Sequence, residues 1–90
     1  MKRAVVWRWQ LDAERTEVDM PTGAQILHVG FQVARRAFSV WALVDPQAPR
    51  EWRAFQRLGT GGEAAPSDTY LGSVLMPDGY EVYHFFEIAP

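Results

Sequence analysis

The sequence predicts an all-β protein: about seven antiparallel strands in a small sandwich or partly open barrel, with room for one short helix. Three observations predict it. Apolar and polar residues alternate with a period of two along most of the chain. Proline and glycine punctuate that pattern about every 10–12 residues, the spacing of strands in small β folds. No long stretch carries the 3.6-residue period of an amphipathic helix.

The elements follow in order. In residues 5–11, Val5, Trp7, Trp9 and Leu11 share one face, with Arg8 and Gln10 on the other. In residues 15–20, Thr16, Val18 and Met20 oppose Arg15, Glu17 and Asp19. Only Asp12, Ala13 and Glu14 separate the two runs, which predicts a hairpin. Pro21, Thr22 and Gly23 break the pattern, because proline cannot donate to a sheet ladder and glycine accepts a positive φ. A third strand is expected over residues 26–34, ending at Arg35 and Arg36.

Residues 38–44 form the most apolar run. Phe38, Val40, Ala42 and Val44 lie on one side, Trp41 and Leu43 on the other, as in a central strand covered on both faces. After the loop around Pro46 and Pro49, residues 52–58 alternate Arg53, Phe55 and Arg57 with Trp52, Ala54 and Leu58. Residues 49–58 also have helical composition, so a short helix would fall there or near Pro66, Ser67 and Asp68. Residues 59–66 are the longest irregular stretch and the best place for a functional loop. Two last strands, residues 69–76 and 80–88, flank a tight turn at Pro77, Asp78 and Gly79. In the final one, Tyr80, Val82, His84 and Phe86 share a face opposite Glu81, Tyr83, Phe85 and Glu87.

Ninety residues, 48% of them hydrophobic and 22% charged, suit one globular domain spanning residues 1–90. The net charge of −2 argues against general nucleic-acid binding, which needs a surplus of cations to displace counterions. The acids are scattered, not arranged in the rows a mimic of the DNA backbone would need. With no cysteine, disulfides and thiolate metal sites are impossible. The apolar run after Met1, Lys2 and Arg3 breaks at Arg8, too soon for a signal peptide or a membrane helix, so the expected location is the cytoplasm.

Catalytic and metal chemistry find little support. His28 and His84 lack a third ligand at hairpin or helical spacing, so no metal is expected. His84 needs a carboxylate or nucleophile nearby to act as a base, and the sequence indicates none. Gly59, Thr60, Gly61 and Gly62 resemble a phosphate loop only in their glycines; the lysine is missing. Ser39, Ser67 and Ser73 lie in no nucleophile elbow. We therefore expect no enzyme and no cofactor.

Binding is better represented. Eight of nine basic residues are arginine and four residues are tryptophan, the types enriched at interface hot spots, although GC-rich codon usage also raises arginine. Trp7 and Trp9, with Arg8 between them, either fill the core or form a contact patch on an edge strand. Arg57, Gly59, Gly61 and His84 form a second candidate set, for a small anionic ligand or nucleotide.

Several runs in sequence order carry a resemblance. They are residues 20–27 (Met-Pro-Thr-Gly-Ala-Gln-Ile-Leu), 41–46 (Trp-Ala-Leu-Val-Asp-Pro), Gly59-Thr60-Gly61, Tyr70-Leu71-Gly72-Ser73 and residues 82–87 (Val-Tyr-His-Phe-Phe-Glu). Together they resemble a family of short proteins of tailed bacteriophages and prophages whose function is unknown. Members often place His-Pro directly after Gly-Thr-Gly, where this chain has Gly62 and Glu63, so a loop histidine has no role here. The resemblance implies a phage-encoded protein in the cytoplasm of an infected cell, and no chemistry. The leading expectation is a non-catalytic accessory protein that binds a host or phage protein, working as a homodimer or small oligomer. The alternatives are a ligand-sequestering module built on the glycine loop and a minor virion component.

Overall fold

The computed structural model describes residues 4–90. Seven strands are present: β1 (Val5–Leu11), β2 (Arg15–Pro21), β3 (Gln25–Gln32), β4 (Ala37–Val44), β5 (Arg50–Gly59), β6 (Thr69–Leu75) and β7 (Val82–Ile88). They form two antiparallel sheets, ordered β1-β4-β3 and β2-β5-β7-β6. The Cα envelope is only 18 Å in its shortest dimension, room for two sheets about 10 Å apart and no third layer. The architecture is a sandwich and not a closed barrel.

The period-two pattern decides which side chains face inward. Leu11, Val18, Met20, Val29, Phe38, Val40, Ala42, Val44, Phe55, Val74 and Phe85 are buried between the sheets. Phe38 stands at the centre of an aromatic cluster, with Phe31, Tyr83 and Phe85 rings at 5.1, 5.3 and 5.3 Å. Edge-on and tilted arrangements at such distances add to area burial.

Two arginines point into this sandwich, on the same face of β5 as Phe55. Arg53 makes a bidentate pair with Glu87 (Nε–Oε2 2.5 Å, Nη2–Oε1 2.6 Å), and its Nη1 donates to the Ala24 carbonyl at 2.6 Å. The hydrogen bonds to Glu87 raise the Arg53 pKa against the opposing effect of burial, and both side chains are largely buried. The guanidinium thus ties the β2–β3 turn to β7. Arg57 lays its guanidinium over the rings of Phe38 (4.9 Å) and Tyr83 (5.3 Å).

Three expectations require correction. β1 and β2 do not form a hairpin: β1 pairs with β4 and β2 with β5, and residues 12–14 carry the chain from one sheet to the other. Both strands still bury the same apolar faces, so the alternation is satisfied either way, and long-range partners choose between the two. The one short helix is a 3₁₀ turn at Val33–Arg35, closed by Arg36 N donating to the Val33 carbonyl at 3.2 Å. Arg50 to Leu58 lie instead in β5, with Pro49 in the loop before it, and Pro66 to Asp68 form a turn. Finally, β4 is central in its sheet but no layer covers its outer side. Ser39 is buried there by its neighbours, accepting from Arg8 Nη1 (3.1 Å) and donating to Gln32 Oε1 (3.2 Å). Trp41 rests against the His28 ring at 5.6 Å.

Candidate functional site

In an antiparallel sheet with one face on the core, the other face meets water and is normally polar. The outer face of the four-stranded sheet departs from that rule. The register Ala54↔Ile88, Gln56↔Phe86 and Leu58↔His84 puts these residues on one side of β5 and β7, away from buried Phe55 and Phe85. Tyr70 and Leu75 of β6 join them opposite Phe86 and Val82. Trp52 is 71% exposed and Leu75 69%; Val82, Phe86 and Ile88 are half-buried. The Tyr70 ring meets the Phe86 ring edge-on at 5.5 Å. Arg15, Glu17 and Asp19 of β2 supply a charged rim on the same face.

A line of hydrogen bonds crosses this apolar surface. Tyr70 Oη and Ser73 Oγ are 2.7 Å apart, and Ser73 Oγ lies 2.7 Å from His84 Nδ1. His84 Nε2 lies 2.9 Å from Thr60 Oγ1, in the glycine loop. Both ring nitrogens are thus engaged by hydroxyls, which can donate or accept as the imidazole tautomer requires. The chain anchors the loop to the sheet and aligns the exposed Tyr70 ring.

The structure separates residues the sequence had grouped. His84 does meet the glycine loop, through Thr60. Arg57 does not join them: it pairs with Phe85 while His84 pairs with Leu58, so the two side chains point to opposite faces of the sheet. Arg57 and His84 therefore do not converge on one site, because neighbouring register positions alternate in direction. Gly59 ends β5, and Gly61, at φ 97, takes a turn conformation that suits glycine and faces open space. Trp7 and Trp9 are half-buried and pack inward against the core, 6.0 Å apart and edge-on, with the Arg50 guanidinium over Trp7. Arg8 points away from them, to Ser39 on the outer face of β4. Trp7, Arg8 and Trp9 therefore do not form one surface patch.

Two clefts open on the four-stranded sheet. One of about 270 Å³ is lined by Gly59, Thr60, Tyr80, Glu81, Val82 and Tyr83. Glu81 accepts from the Tyr83 hydroxyl, and that bond holds the Tyr83 pKa above its ordinary value of 10.0. The other, about 550 Å³, lies where β7 has stopped pairing with β5, beyond Ala54. Among its lining groups Arg53 and Glu87 already neutralise one another. Among the described residues, no three His, Cys, Asp or Glu side chains gather as a metal site requires, and no helix is long and apolar enough to cross a membrane.

Sequence reasoning did not single out Trp52, Tyr70, Leu75 or Phe86 as surface. A signal was present in β7, where Val82, Phe86 and Ile88 alternate with Tyr83 and Phe85. A strand apolar on both faces, in a chain with only two layers, leaves one of those faces open.

Fold and surface together define a small two-layer β-sandwich with a solvent-facing apolar sheet. The chain belongs to the family described as Domain of unknown function (DUF7352), whose model matches residues 1–90. No curated protein matches the chain, and neither does any solved structure.

Proposed function

We propose that this is a phage-encoded accessory protein that acts by binding a host or phage protein without catalysis, as a homodimer, in the cytoplasm of the infected cell. The phage setting comes from the resemblance of its sequence runs. The observation that carries the binding role is the apolar outer face of β5, β7 and β6. Trp52, Tyr70 and Leu75 stand in water there, around half-buried Val82, Phe86 and Ile88. Burying an aromatic side chain removes about 150–250 Å² from water, at about 25 cal/mol per Å². Two such anchors thus outweigh what an exposed ion pair supplies. Aromatic anchors inside a polar rim are the anatomy of a protein contact, and Arg15, Glu17 and Asp19 provide the rim.

The test begins with affinity capture from infected cells by the wild-type protein and by a Trp52→Ser, Leu75→Asp double variant. A partner identified this way is then titrated calorimetrically against both. The expected result is at least a hundredfold weaker binding by the double variant, with its thermal unfolding midpoint little changed. Equal binding by the two proteins would exclude this face.

A second reading has one observation in its favour. The cleft of about 270 Å³ joins Gly59 and Thr60 to Tyr80 and Tyr83, close to the lower limit of about 300 Å³ for ligand pockets. A saturable thermal shift with a nucleotide, removed by Thr60→Val, would favour sequestration of a small molecule over protein binding.

A further inference from the structure

A two-sheet sandwich has four edges, and here three are blocked. β3 and β6 pack against each other, so closely at Gly72 that a Cβ there would lie 3.1 Å from Val29 Cγ2. β2 carries Arg15, Glu17 and Asp19 and ends on Pro21, and Arg50 Nη1 donates to its Asp19 carbonyl at 3.2 Å. Charge, proline and cover are the devices by which natural sheets prevent edge pairing. Among the described residues β1 has neither proline nor cover, and its single charge, Arg8, is turned to Ser39 on the outer face of β4. The strand is ladder-bonded to β4 alone, and its seven residues contain no proline, glycine or bulge. Its Val and Trp residues are strong strand formers, and Val5 and Val6 are 40% and 53% exposed.

We propose that β1 pairs antiparallel with β1 of a second copy, about a twofold axis at Trp7, joining the two three-stranded sheets into one of six strands. This rests on the homodimer reading above and names its surface and register. The occupant is a second copy because β1 complements itself in this register. Val6 lies opposite Arg8 of the other copy, so the only charge of the strand meets an aliphatic side chain. Trp7 meets Trp7 and Trp9 meets Val5 on the inner face, which closes the half-exposed side of the core. Moving the axis one residue, to Arg8, would set two guanidinium groups directly opposite, and like charges so placed weaken a ladder.

The register makes a signed prediction. Val6→Glu creates a cross-strand ion pair with Arg8 twice per dimer, and Val6→Lys creates two repulsions. By sedimentation equilibrium, the dimer Kd should fall roughly fivefold for Val6→Glu and rise by a similar factor for Val6→Lys. Because the natural chain has no cysteine, thiol cross-linking reports cleanly. An equimolar mixture of Val6→Cys and Arg8→Cys proteins should form a mixed disulfide dimer, and each variant alone should not. Cross-linking of Arg8→Cys with itself would overturn the register. A wild-type dimer that shows neither the charge effect nor the mixed cross-link would overturn the β1 interface and leave the homodimer standing. A wild-type monomer at millimolar concentration would remove both.

Discussion

Tyr83 and Arg57 show how a charged or phenolic group is kept at the margin of an apolar interior. The Arg57 guanidinium lies over the Phe38 and Tyr83 rings, where its planar cation meets two negative π faces instead of a carboxylate. Tyr83 in turn donates a hydrogen bond from its hydroxyl to Glu81, and that bond favours the neutral phenol. Because the folded pKa lies above the unfolded one, the contribution of Tyr83 to stability is complete below about pH 10 and is lost as pH rises through the raised value. Spectrophotometric titration of the folded protein should therefore show a tyrosine ionising above 10.0, and Glu81→Gln should bring that transition down. A titration curve unchanged by Glu81→Gln would exclude the carboxylate as the cause. Arg53 is held differently, by the two oxygens of Glu87 and the Ala24 carbonyl, so its charge is matched bond for bond.

At the scale of elements, the corner between β3 and β6 is the most demanding contact. The register of β6 on β7 shifts between Tyr70 and Gly72, a bulge that turns Tyr70 outward and Leu71 inward. The strand then passes β3 so closely that a Cβ on Gly72, whose φ is 157, would lie 3.1 Å from Val29 Cγ2 and force that side chain to give way. Gly72→Ala should cost about 1–3 kcal/mol through overpacking against Val29, measured by urea unfolding. Val29→Ala in the same background should recover part of that loss, because it removes the methyl that the new Cβ strikes. If the double variant is merely the sum of the two single ones, the contact is not the cause. The opposite corner is looser: β1 and β2 part after residues 12–14, and Trp7, Trp9 and Arg50 fill the gap with side chains, not ladder bonds. One closed corner and one open corner leave β1 as the bare edge.

For the whole molecule, the buried core and the proposed contact surface lie on opposite faces of the same sheet. Phe85 and Leu75 lie on β7 and its neighbour β6, one buried between the sheets and one in water. Phe85→Ala should cost about 3–5 kcal/mol of unfolding free energy, a large share of what a domain of this size has. Leu75→Ser should change stability by about 0.5 kcal/mol or less. A large loss on Leu75→Ser would mean that the outer face is held in the monomer by contacts of its own.

Much of this was legible before any coordinates. Alternation and turn residues together located the strands, and alternation gave the inward set Phe38, Val40, Ala42 and Val44, because a period of two is a property of neighbouring residues. Turn residues located the breaks, with boundary errors of a residue or two, as at Tyr80, which belongs to the last turn and not to β7. Alternation is silent on which strands pair, since β1 buries Trp7, Trp9 and Leu11 equally well beside β2 or beside β4. It is equally silent on layer count, so it could not tell that Phe86 and Trp52 would face water while Trp7 and Trp9 turned inward. The resemblance placed the chain among proteins of unknown function, and the family match agrees on that point. Local pattern settled the class and the strands; pairing partners, the apolar outer sheet and the bare edge came from contacts between residues far apart in the chain, which no short-range signal encodes.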